Sequence, residues 1–331
     1  MFEGLCLEGI LMFKKILLLL FILILGVIAL GKQIIYADGT LSEDTVIVVK
    51  KGSSSAQVAN ELYKARVINY PNLFKIAARL QKLDRKLKAG EYAFQAKISM
   101  IDVLDKMKRG EVMYRQITFP EGLTSLQMVE IINNNEFLEG EISEIPTEGS
   151  LLPETYTFMR GDSREKLIKD MQHAMKKALK NVWDNNDIKS PVKNVEELLI
   201  LASIIEKETG MPEERSLVAS VFANRLRRGM RLQTDPTVIY AITNGKFELE
   251  RTLTRKDLQI KSPYNTYINY GLPPTPICNP GKASLQAAAQ PEMTDYLYFV
   301  ASGNGGHNFA KSLNQHNKNV KKWKKIKNKS L

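Results

Sequence analysis

The chain has 331 residues, 44% of them apolar and 25% charged. That composition excludes a disordered or collagen-like polymer, and the length suggests about two domains. The net charge is +11, but residues 318–329 hold seven lysines and no acid, and residues 1–36 add +1. Only +3 is left on the intervening 281 residues, too little for a broad nucleic-acid-binding face.

In chain order, the first element is an apolar run at residues 16–30, ILLLLFILILGVIAL, directly after Lys14 and Lys15. As a helix it rises ~22 Å, and adding Gly31 and Ile34–Tyr36, with Lys32 snorkelling, brings it to membrane-spanning length. The dibasic collar predicts an N-terminus in the cytoplasm and residues 37–331 outside. A cleaved signal peptide is the competing form, since Ala29 and Gly31 have small-x-small spacing; the absence of a polar stretch before that site favours a retained anchor. Met12 is a natural start, so residues 1–11 read as a possible upstream extension, which would remove Cys6. Cys6 and Cys278 are the two cysteines, too far apart in sequence for a zinc cluster or a disulfide scaffold.

After a polar linker, Thr45–Val49 is predicted as a β-branched strand, with a helix over about Ala56–Tyr63 capped by Ser53–Ser55. A second helix is expected over Pro71–Lys82, a strand over Lys88–Phe94, and a third helix from a Ser99 cap to Lys108. Met113–Phe119 reads as a strand, followed by the turn Pro120–Ser125 and a helix to Ile132. Residues 48–62 and 118–132 echo each other: strand, charged residue plus glycine, hydroxyl cap, amphipathic helix. The first of these regions resembles the strand–helix–helix–strand unit of LysM peptidoglycan-binding modules. Leu151–Phe158 is expected to be extended, and a long helix follows over about Ser163–Trp183. Asn194 with Glu197 forms a capping box before Leu198–Ile205, which is apolar almost all round and therefore reads as a buried central helix. Gly210 and Pro212 end it, and Pro212 opens a helix to Gly229. Beyond this the chain reads as loop-rich, with a short helix at Ala283–Ala289, a buried strand at Tyr296–Ala301 and a lysine tail. That tail reads either as a solvated segment or as one lying on anionic lipid or wall polymer.

The sharpest local conflict is Glu206, at the end of the most apolar helix. The negative end of the helix dipole and a wall of Leu201, Ala202, Ile204 and Ile205 both disfavour a carboxylate there, which is what a general acid near neutral pH requires. Glu208 lies ~200° further round the helix and cannot share the task. A plain structural role, with Glu206 paired to Lys207 or Arg225, is the competing reading. Asn224, Gln233, Asp235, Tyr264, Asn265 and Tyr267 suit sugar recognition, because amides bond hydroxyl and N-acetyl groups and tyrosines offer flat apolar faces. Individually, the Asn and Asp residues also fit a role as turn formers. His173, His307 and His316 lack metal-ligand spacing, Gly303–Gly306 lacks a phosphate-loop signature, and no Gly-x-Ser-x-Gly occurs. No metal and no cofactor is expected.

Residues 201–209 (LASIIEKET), 221–226 (VFANRL), 229–240 (GMRLQTDPTVIY), 264–267 (YNTY), 271–277 (GLPPTPI) and 279–281 (NPG) stand in a fixed order. With Leu151–Tyr156, they make the chain resemble the YceG-like (MltG) family of endolytic peptidoglycan lytic transglycosylases from about Val46 to Asn317. The resemblance implies an α+β fold: a cytoplasmic N-terminus and transmembrane helix over 1–36, a LysM-like subdomain over 37–112, a mixed α/β catalytic domain over 113–317 and a basic tail over 318–331. It implies cleavage of the β-1,4 bond between N-acetylmuramic acid and N-acetylglucosamine in nascent strands, with Glu206 as the catalytic residue. Glu154 and Tyr156, in the first of the matching elements, join the candidate substrate-binding residues. The expected partners are glycan strands, the cytoplasmic membrane and peptidoglycan synthases, and not nucleic acid. Two rivals remain: a hydrolytic muramidase pairing Glu206 with Asp235, and a non-catalytic wall-binding scaffold.

Overall fold

The computed structural model describes residues 2–83, 87–185, 187–303 and 305–327, with side chains from Leu11 onward. The side chain of Cys6, Asn304 of the glycine turn and the end of the lysine tail, residues 328–331, lie outside what it describes.

Helix α1, Phe2–Tyr36, includes the apolar run. Its Leu11–Tyr36 stretch has a mean hydropathy of 2.7 and no buried residue in its most apolar window, so it is long and apolar enough to cross a membrane. Its 26 residues rise about 39 Å, against a hydrocarbon core of ~30 Å.

The chain divides into two compact units: residues 1–115 with 158–161, and residues 116–157 with 162–331. In the first unit, β1 (Thr45–Val49) pairs antiparallel with β2 (Gly90–Phe94), and α2 (Ser55–Lys64) and α3 (Pro71–Leu80) lie between them in sequence. Helix α4, Met100–Arg109, follows; it is capped by Ser99 and closed by Gly110 in the left-handed conformation. Leu62, Phe74, Tyr92, Phe94, Leu104 and Met107 fill this core. The buried Glu91 accepts from Arg115 Nε at 2.8 Å and Arg160 Nε at 2.7 Å, and these guanidiniums hold its carboxyl below the ordinary range. Residues 158–161 thus return to the first unit through an ion pair.

The second unit is mixed α/β, built mainly of helices with two-stranded sheets. Its elements begin with β3 (Arg115–Thr118), α5 (Ser125–Asn133), β4 (Leu138–Glu139), β5 (Thr155–Phe158), β6 (Asp162–Ser163) and α6 (Arg164–Asn185). β3 pairs with β5, and β4 pairs parallel with β6. Next come α7 (Val195–Glu208) and, after a 3-10 turn at Pro212–Glu214, α8 (Arg215–Arg227). Asn194 caps α7 by accepting from Glu197 N at 2.8 Å, but the Glu197 carboxylate accepts from Lys193 N, one residue before the position a capping box requires. Leu198, Ile200–Ile205 of α7, Val218, Ala219 and Phe222 of α8, and Leu285 with Ala287–Ala289 of α10 (Lys282–Ala289) are buried.

Two expectations in the C-terminal part are corrected. Residues 235–243, expected as loop, form helix α9 (Asp235–Thr243), because Pro236 sits in the first turn, where a missing N–H costs nothing. The strand expected over Tyr296–Ala301 is shorter, β7 (Tyr298–Ala301), and half-buried; it pairs antiparallel with β8 (His307–Ala310), which the sequence reading did not include. The chain continues into helix α11, Leu313–Lys327, which carries most of the tail lysines.

Candidate active site

Glu206 sits in the last turn of α7 with its side chain only 6% exposed. Three neighbours define its surroundings, all in the second unit. The Gly281 N–H, at the N-cap of α10, donates to Glu206 Oε2 at 2.8 Å. Arg215 Nη2, at the start of α8, lies 3.9 Å from Glu206 Oε1 and 3.8 Å from Glu121 Oε2. Glu121 itself belongs to the turn after β3 and is more open, at 43% exposure.

The backbone that holds these groups is tied together by Asn279 and Ser203. Ser203 Oγ, on α7, accepts from Ile277 N at 3.1 Å, and Cys278 Sγ donates to Ser203 O, so residues 277–278 run along α7. Asn279 N donates to Leu123 O at 2.8 Å, and its Nδ2 donates to Leu123 O and to Glu148 Oε1. Its Oδ1 accepts from Leu151 N. Gly122 N donates to Asn279 O, and Lys207 Nζ donates to Gly122 O at 3.2 Å. Gly122 has φ +79°, and a Cβ there would lie 3.6 Å from the Glu206 side chain. A Cβ on Gly281 would fall 1.6 Å from Glu121 Oε1, so the Glu121 carboxyl rests on that glycine. Burial first, and the charge of Glu206 second, push the Glu121 carboxyl above its ordinary range.

The other sequence candidates divide into two groups. Gln233, Asp235 and Tyr267 come together, lining a cavity of about 480 Å³ with Glu208, Arg225, Tyr298, His316 and Trp323. Tyr267 OH donates to Asp235 Oδ1 at 2.6 Å, and Thr234 Oγ1 donates to Glu208. Loss of hydration pushes the Glu208 carboxyl up to about 7. Glu206, Glu121 and Arg215 do not line this cavity. Arg225, considered from sequence as a partner for Glu206, instead donates to Leu297 O and Leu232 O.

In the second group the polar atoms are engaged within the chain. Asn224 Nδ2 donates to Thr294 O and Tyr296 O. Asn265 is fully buried; its Nδ2 donates to Leu258 O and Ile260 O, and its Oδ1 accepts from Tyr267 N. Tyr264 OH shares a hydrogen bond with Thr275 Oγ1, and the ring packs on Tyr240. Tyr156 OH donates to Leu152 O, and Glu154 pairs with Lys282. Glu121, Arg215 and the Gly281 amide went unassigned in the sequence. Two of them lay inside turns already singled out, Pro120–Ser125 and Asn279–Gly281, but nothing in a turn signature says that its carboxyl will meet a helix end over 80 residues away. Among the described residues no cluster of His, Cys, Asp and Glu is arranged to hold a metal ion.

Residues 47–322 match the YceG-like family. The endolytic murein transglycosylase of Bacillus subtilis (strain 168) is 34% identical over 337 residues, covering 92% of this chain and 91% of that protein. The endolytic murein transglycosylase of Streptococcus pneumoniae (strain D39) is 29% identical, covering 86% of this chain and 59% of its own length. The crystal structure of a putative YceG-like protein from Listeria monocytogenes superposes with a TM-score of 0.52 at 34% identity, over 84% of this chain and 99% of that one.

Proposed function

The chain belongs to the YceG-like family, and we propose on that footing that it is an endolytic murein transglycosylase with Glu206 as its acid and base. It cleaves within peptidoglycan strands. The bond cut is the β-1,4 link from N-acetylmuramic acid to N-acetylglucosamine, and the cut helps terminate strand elongation. The observation that carries the assignment is the Glu206 carboxyl, nearly closed off from water at the end of α7 and oriented by the Gly281 amide.

Protonated Glu206 gives its proton to the glycosidic oxygen as the bond to C1 breaks. The 6-hydroxyl of the same muramic acid then forms the new bond to C1, and its proton returns to the Glu206 carboxylate. The product ends in a 1,6-anhydro ring. An intramolecular nucleophile acts at a high effective concentration, so no second carboxylate has to deliver water. A hydrolase pairing Glu206 with Asp235 finds little support, because Asp235 lines the Glu208 cavity and accepts from Tyr267. Glu206→Gln keeps the shape and loses the transferable proton. Digestion of purified glycan strands is expected to fall by about 10²–10⁴-fold in that variant. Mass spectrometry of wild-type products checks the chemistry, since hydrolytic ends are ~18 Da heavier than anhydro ends. Anhydro ends released by Glu206→Gln at near wild-type rate would overturn the assignment.

Gln233, Asp235 and Tyr267 are proposed to contact glycan through their shared cavity, and Glu154 through its place beside Lys282 at the start of α10. We read the first unit as LysM-like, supported by its β1–α2–α3–β2 order and antiparallel closure. Lys14 and Lys15 before the apolar run support an N-terminus in the cytoplasm, with the enzyme on the wall side among peptidoglycan synthases.

A further inference from the structure

We propose that a groove between α6 and the start of α10 is a stem-peptide subsite: it takes the acidic peptide borne by the muramic acid being cut, and Lys177 binds a carboxylate of that peptide. This rests on the chain acting at Glu206 on peptidoglycan strands, as read above. The groove has a volume of about 540 Å³, and its lining residues all belong to the second unit. Leu152, Ala174 and Ala178 give it an apolar floor. On its α6 wall stand Asn181 and Asn185, whose amides are joined by a hydrogen bond of 2.6 Å. Lys177, Lys180 and Lys282 line it against Glu154 and Asp184, so its net charge is +1. Two lysines are answered within the groove: Lys180 pairs with Asp184, and Lys282 pairs with Glu154. Lys177 is the cation left over. It is exposed and, among the described residues, has no carboxylate within ion-pair distance.

The position of the groove argues for its occupant. Gly281, whose N–H donates to Glu206 Oε2, is followed directly by Lys282, about 3.8 Å further along the chain. From the other side, Phe119 N donates to Glu154 O at 3.1 Å, two residues before Glu121. Glu206 and Glu154 are both among the charges that, after burial, push the Glu121 carboxyl up, so the three acids are neighbours. The groove therefore begins at the groups that border the catalytic carboxyl. Muramic acid bears its peptide on the same sugar ring whose C1 must meet Glu206, so the peptide leaves the ring close to this opening. A stem of about four extended residues reaches at most ~14 Å, while Lys177 and Asn181 are one helical turn, about 6 Å, apart on the wall. Such a peptide brings free carboxylate to Lys177, small alanine side chains to an alanine-lined floor, and backbone groups to the two asparagines. The glycan chain itself offers uncharged hydroxyl and acetamido groups, which leave Lys177 unanswered.

The test times cleavage by the full-length protein in detergent on two substrates: glycan strands with intact stem peptides, and the same strands with the peptide carboxyls capped as amides. Lys177→Glu is expected to lower kcat/KM on intact strands by about three- to tenfold, mainly through KM, and Lys177→Gln by about two- to threefold. On capped strands both variants are expected to match the wild type, because the charge they act on is gone. Lys176→Glu is the control: it makes the same change of charge one residue away on α6, in a different groove, and is expected to leave both substrates unaffected. Should capped strands be cut too slowly to time, retention of both substrates by the Glu206→Gln protein, with and without Lys177→Glu, reads the same comparison. Equal losses on intact and capped strands, no loss on either, or a Lys176→Glu effect as large as that of Lys177→Glu overturns the inference. Full activity in Glu206→Gln overturns the underlying assignment instead, so the two failures are distinguishable.

Discussion

Two single positions set the electrostatics of the second unit, and each has a measurable consequence. Gly281 is kept free of a side chain because the Glu121 carboxyl occupies the space a Cβ would fill. Gly281→Ala is expected to cost about 1–3 kcal/mol of stability, typical of overpacking, and to lower strand cleavage by shifting the Gly281 amide that donates to Glu206. Chemical denaturation and a digestion assay read the two effects separately. Glu208 presents the opposite case, a carboxyl pushed up to about 7. A raised carboxyl binds its proton more tightly folded than unfolded. Its contribution is therefore favourable at low pH and is lost as pH rises from the unfolded value of ~4.3 through about 7. Glu208→Gln should flatten the decline of stability across that window by at most about 3 kcal/mol, read from urea midpoints at several pH values.

At the scale of elements, the echo noticed in the sequence recurs in the structure. Ser54 with Gln57 and Thr124 with Gln127 both form complete capping boxes, and Gly52 and Gly122 both take the left-handed conformation, at φ +81° and +79°. The two copies differ in what surrounds them. Gly52 has open space around it, whereas Gly122 packs against Glu206 and Lys207. Thr124 Oγ1 also donates to Gly245 O, so Thr124→Ala is expected to cost about 1–2 kcal/mol and Ser54→Ala about 0.5–1, measured by urea unfolding. Such local units were legible because a cap, a turn glycine and a hydrophobic stripe are all written within a few residues. Helix α9 was hidden by Pro236, read as a loop former when it stood in a first turn, and β8 by a glycine-rich approach that gave no hydrophobic alternation. The site was legible only in part for the same reason. Glu206 declares itself by its greasy neighbours, but Arg215 and Glu121 come to lie near it only through tertiary contacts.

At the scale of the whole molecule, two compact units make up the chain, and the first begins with the apolar helix α1. The apolar side chains of α1 over residues 16–30 are exposed among the described residues. The full-length protein is therefore expected to sediment with membranes after salt and alkaline carbonate washes, and to be released only by detergent. Recovery in the soluble fraction after the carbonate wash would count against an integral anchor.

Asn279 joins positions 128 to 156 residues earlier in the chain, and through them it holds the turn that bears Glu121. Ribosomes make proteins from the first residue onward, and closing such distant loops is slow. A half-made or truncated copy ending before this asparagine can fold its early part and still lack a finished cutting edge. Fragments of this enzyme would then be harmless to the polymer that the complete chain severs.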